Sequence, residues 1–297
     1  MDDYQRGLFE LFKSFRLEPK YPAYPPYHEG EYLEDALHRF FQEFTVRGNN
    51  IDRYYIPVSW TTVYNDNLDI AELRALIKGL DDGKKYFTVC QRALGIGINL
   101  PADCLLFSAG RNHGIPIPLV SSKIPVIGPD PVRDIYCSFV GSDTHPIRKR
   151  LAKTFGSKKD YHIEILKTSD VNPSKVPNYI DVMRRSKFSF CPRGFGPTSF
   201  RLYEALQLGS IPVYISDDHV LPWGDVINWN NLCVIVKSDD IHSISDRLSA
   251  ITDERREEML LYARAMYQDF FTIPAVCRNI IKRLLPCPLP PSFSLVL

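Results

Sequence analysis

The sequence predicts an α/β protein made of two successive Rossmann-like domains facing a central cleft. Three observations carry that prediction. Helical stretches alternate with short apolar strands along the chain, the pattern of parallel sheets with crossover helices. The text SSKIPVIGPDPVRD (121–134) breaks the pattern with prolines and a glycine, after which the alternation begins again. The run FSFCPRGFGPTSFRLYEALQLGSIPVYIS, Phe188 to Ser216, then spells strand, glycine loop, helix and strand in one unit.

Each element follows from its residues. In the first domain, 1–130, residues 1 to about 20 form an amphipathic helix through Leu8, Phe9, Leu11, Phe12 and Phe15. The segment YPAYPPYHEG (21–30) is an aromatic-faced loop, and Leu33 to Phe44 is helical. Tyr54 to Trp60 (YYIPVSW) reads as a strand followed by a polar loop, TTVYNDN. Ala71 to Leu80 is a helix, closed by Asp81-Asp82-Gly83, and Tyr86–Val89 and Cys104–Ser108 are strands. In the second domain, 131–271, strands fall at Ile135–Val140, His162–Leu166, Phe188–Cys191, Ile211–Ile215 and Cys233–Val236. Helices fall at His145–Phe155, Val176–Ser186, Ser199–Leu208, Ile241–Ile251 and Asp253–Phe271. Residues 272–297 hold a helix, Ala275 to Leu285, and a proline-rich tail, expected to return to the first domain.

The central motif suggests its chemistry. Pro192 stops the strand, and Arg193, Gly194, Gly196 and Pro197 form a loop that no regular element tolerates. Thr198 is the expected N-cap of the following helix and Gly209 its terminator. A glycine loop feeding a helix N-terminus offers backbone N–H groups and a favourable dipole to an anion. With Arg193, Arg201 and Glu204 beside it, the package suits a nucleoside diphosphate. Spacing after Cys191 does not fit G-x-G-x-x-G, which argues against a nicotinamide cofactor.

Bulk properties exclude other classes. The net charge is +1 with no long basic run, so no nucleic-acid partner is expected. No window approaches the roughly 18–20 apolar residues of a membrane span. The seven cysteines (90, 104, 137, 191, 233, 277 and 287) lack a C-x-x-C pair and read as free thiols in a reducing compartment. A soluble, cytoplasmic chain is expected; a Golgi luminal domain parted from its anchor is the alternative.

The stretch from Tyr179 to about Asp240 resembles the exostosin-type glycosyltransferases of family 47. The matching positions are Phe190, Cys191, Pro192, Gly194, Ser199, Arg201, Glu204, Ala205, Gly209, Ile211, Pro212 and Val213, with Trp229 later. Ser210 stands where common members have cysteine, and RDIYCSFVGS…IRKRL (Arg133 to Leu151) resembles a second family block. The resemblance implies a GT-B architecture and an inverting transfer from a UDP-sugar to a glycan hydroxyl. In its compactness the chain is similar to exostosin-like enzymes of large algal viruses, which implies a virus-encoded xylosyltransferase acting from UDP-xylose on a fucose of an N-glycan. The alternative is a non-catalytic nucleotide- or glycan-binding subunit.

Arg193, Gly194, Gly196, Ser199 and Arg201 are assigned to the diphosphate, and Glu204 to the ribose hydroxyls; a salt bridge between Arg201 and Glu204 on the helix face is the alternative for those two. Arg133 and Arg148 join the donor site by resemblance. No Asp-x-Asp occurs, so no metal or other cofactor is expected and arginines must neutralise the leaving group. Inversion needs a general base. Asp66 is the first candidate, with Asp69 and His113 behind it. Trp60, Tyr64 and the Tyr-rich 21–27 segment are candidate sugar platforms, with plain packing the alternative.

Overall fold

The computed structural model describes residues 1–16, 32–49, 51–110, 114–120, 124, 128–167, 179–218 and 221–285. The chain divides into two compact units, Met1–Ser122 with Thr272–Leu297, and Lys123–Phe271. Each is α/β with an all-parallel sheet.

The first unit runs through α1 (Asp3–Leu11), α2 (Leu33–Val46), β1 (Tyr54–Tyr55), α3 (Trp60–Asn65), α4 (Ile70–Lys78), β2 (Tyr86–Cys90), β3 (Cys104–Ser108) and β4 (Ile115–Pro116). Its strands stand in the order β1-β2-β3-β4. Tyr55 and Phe87 stack at 4.8 Å, and Phe41 of α2 meets their rings at 5.1 and 5.6 Å. The last helix of the chain, Ile273–Leu284, packs on α2 within this unit.

Two expectations fail here. The strand expected over Tyr54–Trp60 ends at Tyr55, and the expected polar loop is the helix α3. Pro57 has no N–H for a ladder. The threonines that made the text look polar are buried, Trp60 is fully enclosed, and its Nε1 donates to Thr88 Oγ1 at 2.9 Å. The two-residue β4 was not expected.

The first unit also buries two titratable groups side by side. Glu34 is inaccessible and accepts bonds from Thr61 N (2.8 Å), Gln91 N (2.7 Å) and Thr61 Oγ1 (3.0 Å). It supplies from α2 the cap that Ser59 does not give α3, because Ser59 Oγ donates to Asp35 at 2.7 Å. Burial pushes the Glu34 carboxyl up to about 8, with the backbone N–H groups of Thr61 and Gln91 opposing the rise. His38 bridges Ser59 Oγ (3.0 Å) and the Tyr55 hydroxyl (2.8 Å), and burial lowers its imidazole to about 3, aided by Arg16 and Arg39.

The second unit runs through β5 (Ile135–Ser142), α5 (Pro146–Phe155), β6 (Tyr161–Leu166), α6 (Tyr179–Arg184), β7 (Ser186–Pro192), α7 (Phe200–Gln207), β8 (Ile211–Ile215), β9 (Val234–Val236), α8 (Ile244–Ser249) and α9 (Asp253–Phe270). The order is β6-β5-β7-β8-β9. Phe139, Phe155, Phe188, Phe190, Val213 and Leu248 anchor its core. The part of the expected 176–186 helix before Tyr179 lies outside the described residues. The six described cysteines are free, five of them buried and Cys104 half-buried; Cys287 lies outside the described residues. Among the described residues no helix is long and apolar enough to cross a membrane.

The two buried groups set opposing pH dependences. Glu34 holds its proton in the folded chain from the ordinary 4.5 up to about 8, so its contribution to stability is lost as pH rises through that window. His38 stays neutral down to about 3 rather than the ordinary 6.5, so its contribution is lost as pH falls. Between about 4.5 and 6.5 the slopes of these two groups cancel, and above that only Glu34 of the pair contributes. Urea unfolding should therefore show a loss of about 2 kcal/mol from pH 6.5 to 8. Glu34→Gln should remove most of that alkaline loss, and an unchanged slope would refute the assignment.

Candidate functional site

In the second unit the chain leaves β5 toward β6 on one side, while β7 lies on the other and leads to β8. Such a reversal of strand order opens a crevice beyond the carboxyl ends of the two central strands, where open α/β sheets bind ligands. Two loops meet there. Asp143–His145 joins β5 to α5, and Arg193–Ser199 joins β7 to α7. The glycine motif thus occupies the switch point.

The second loop is held at several places. Arg193 N donates to Ile215 O at 3.0 Å, which continues the β7–β8 ladder one residue past the strand. Arg193 Nη1 pairs with Asp218 at 2.9 Å. The Tyr214 hydroxyl, buried, donates to Pro197 O at 3.1 Å. Arg148 does most of the holding. Its guanidinium is buried and donates to Ser142 O (2.9 Å), Arg193 O (3.1 Å) and Pro192 O (3.4 Å), while lying 5.3 Å from the Phe139 ring centre. A Cβ on Gly194 would stand 3.1 Å from Arg148 Nη2 and 3.3 Å from Thr144 Oγ1, so glycine here admits the clamp.

Helix α7 starts one residue later than expected. Ser199, not Thr198, is its N-cap, with its hydroxyl accepting from Arg201 N at 3.3 Å. The helix ends through Gly209 at φ +70°, as its glycine anticipated. Arg201 pairs with Glu204 at 2.9 Å, donates to Val140 O at 2.9 Å and lies 4.1 Å over the Tyr179 ring centre. Burial raises the Glu204 carboxyl, with Arg201 and the Tyr179 hydroxyl (3.4 Å) opposing. Arg201 and Glu204 therefore meet each other in this structure.

Thr144 Oγ1, Thr198 Oγ1 and Arg193 Nε are buried with no hydrogen-bond partner among the described residues. Buried polar atoms without partners are costly, and a crevice that keeps them gains when a ligand satisfies them. Their place beside the α7 N-terminus fits an anion. Thr144 escaped the sequence analysis. Its only signal was its position after an apolar strand in Gly141-Ser142-Asp143-Thr144.

The other predicted residues are spread out. Gly194, Gly196 and Ser199 are buried in the same loop segment. Arg133 lies at the opposite end of the sheet, where it donates to Ser186 O (2.7 Å) and Leu208 O (3.0 Å). The seven-residue β7 separates those carbonyls from the loop by roughly 20 Å. In the first unit Asp69 is the N-cap of α4, accepting from Ala71 N and Glu72 N at 2.9 Å each. Asp66 is the half-buried C-cap residue of α3. His113 and the Tyr-rich 21–27 segment lie outside the described residues. Trp60 belongs to the core, and the Tyr64 hydroxyl accepts from Gly97 N at 2.8 Å.

This is a parallel α/β unit with a polar crevice at its switch point. Comparison with known proteins gives that class a family likeness. Residues 107–251 match the Exostosin GT47 domain, and this part of the chain is exostosin-like. A probable glycosyltransferase of Arabidopsis thaliana is 36% identical over 140 residues, covering 47% of this chain and 26% of that protein. A probable glucuronosyltransferase of Oryza sativa subsp. japonica is 37% identical over 119 residues, covering 39% of this chain and 28% of its own. The match thus spans about a quarter of the length of these curated relatives. Among solved structures, a chain of the GtfA/B complex aligns with TM-score 0.38 at 11% identity, covering 67% of this chain and 44% of that one.

The clamp predicts a stability effect without any ligand. Arg148→Met keeps much of the side-chain volume but leaves three carbonyls without their charged donor. Urea denaturation should show a loss of about 2–4 kcal/mol. Stability equal to the parent would mean that Arg148 is not what fixes the loop.

Proposed function

We propose that this chain is an inverting glycosyltransferase that uses a UDP-sugar and transfers the sugar to a hydroxyl of a glycan. The observation that carries the proposal is the group of partnerless polar atoms, Thr144 Oγ1, Thr198 Oγ1 and Arg193 Nε, at the switch point beside α7. A diphosphate brings acceptor oxygens in the number and charge that these donors need. The match to the Exostosin GT47 domain supports the same chemistry.

In this scheme the acceptor oxygen attacks the anomeric carbon, its proton passes to a general base, and the bond to the β-phosphate oxygen breaks. Arg193 and the α7 N-terminus stabilise the charge that develops on the departing diphosphate. Because the sequence has no Asp-x-Asp, we assign that role to these groups without a metal ion. Arg148 acts at one remove, by fixing the loop that carries Arg193. Asp66 is the base candidate we retain; Asp69 already serves as a helix cap.

Two donors compete. UDP-xylose with a fucose acceptor on an N-glycan is the donor expected from the sequence, whereas the rice relative bears the name glucuronosyltransferase. These donors differ only by the carboxylate on C5 of the sugar. We place UDP-xylose first.

Thr144→Val should weaken UDP binding roughly five- to tenfold, about 1–1.4 kcal/mol, without lowering stability. Calorimetric titration checks this, and unaltered affinity would remove Thr144 from the site. Asp66→Asn should bind UDP normally and lose UDP release with acceptor by two or more orders of magnitude. Retained turnover would exclude Asp66 as base. Parallel UDP-release assays with UDP-xylose and UDP-glucuronate decide the donor, and turnover that persists in EDTA is expected.

A further inference from the structure

Phe195 stands at the tip of the loop between β7 and α7 and is 64% exposed. Among the described residues the other exposed large apolar side chains of the second unit, Val132, Val226 and Leu261, are aliphatic. Its neighbours Gly194 and Gly196 are buried. The backbone on either side is fixed, by Arg148 on the carbonyls of Pro192 and Arg193 and by Tyr214 on the carbonyl of Pro197. The ring is therefore not the loose end of a mobile loop. It is an apolar face held in water next to the anion crevice, where a polar residue would cost nothing. A single exposed apolar side chain is ordinary on a surface; this one is set apart by the fixed backbone that carries it and by its place beside the crevice.

We propose that the Phe195 ring is the platform on which the transferred sugar of the donor stacks. This rests on the nucleotide-sugar assignment above. In a nucleoside diphosphate sugar each phosphate is bonded to a saccharide ring, and the base lies one ribose further away. A side chain beside the diphosphate cradle thus meets a saccharide ring before it meets the base. Of the two rings, a pyranose offers a patch of axial C–H groups on one face, and aromatic side chains pack against such patches. The furanose of the ribose offers no comparable face.

Phe195 donates no hydrogen bond and fills no core, so its removal should act on the ligand alone. Isothermal titration of UDP, UDP-xylose, UDP-glucuronate and UDP-glucose into the parent, Phe195→Ala and Phe195→Tyr proteins tests this. For Phe195→Ala we expect UDP affinity within twofold of the parent and a loss of roughly tenfold for the best-bound UDP-sugar. Phe195→Tyr should keep the parent affinities, and the melting temperature should not move. Equal losses for UDP and UDP-sugars would place the ring on the ribose or base and overturn the proposal, as would no loss for any ligand. A parent protein that binds no UDP is a separate result, which removes the nucleotide assignment itself.

Discussion

The hold of one guanidinium on three backbone carbonyls organises the candidate site. Arg148 extends from α5 beneath the ends of β5 and β7 and donates to Ser142, Pro192 and Arg193. A buried arginine costs desolvation free energy unless its donors are satisfied. Here the acceptors are the last carbonyls of β5 and β7, on Ser142 and Pro192, and the first carbonyl of the loop, on Arg193. The charge and the strand ends solve each other's problem. Gly194 passes close because it has no side chain to meet the clamp, and Arg193 emerges in a fixed direction toward Asp218.

The first unit handles buried polarity differently. Glu34 and His38 neighbour one another through the Ser59 region, yet each is pushed by burial toward its neutral form. The second unit spends Arg148 and Arg133 on backbone carbonyls. The first keeps an acid and an imidazole uncharged and spends them on N–H and hydroxyl groups.

Much of the second unit was legible in the sequence because its strands are continuous apolar runs and its turns carry glycine and proline. Phe188 to Ser216 could be parsed nearly to the residue, and the cap moved only from Thr198 to Ser199. Ser210 has its own use: its hydroxyl meets that of buried Ser189 at 2.8 Å. The first unit was harder. TTVYNDN looked like a solvent loop, but Thr61 and Thr62 are buried, and no local pattern reveals that Glu34, far along the chain, supplies the cap. Arginine roles were the least legible. A guanidinium that binds phosphate and one that binds carbonyls have the same one-letter symbol, and only the fold separates Arg133 at one end of the sheet from Arg193 at the other.

Arg133 gives that separation a further meaning. It joins the start of β7 to the end of α7, through Ser186 and Leu208, while Arg148 secures the opposite extremity. Strand, loop and helix are consequently a preassembled cassette, tethered fore and aft. A guest entering this segment has little backbone ordering entropy to overcome.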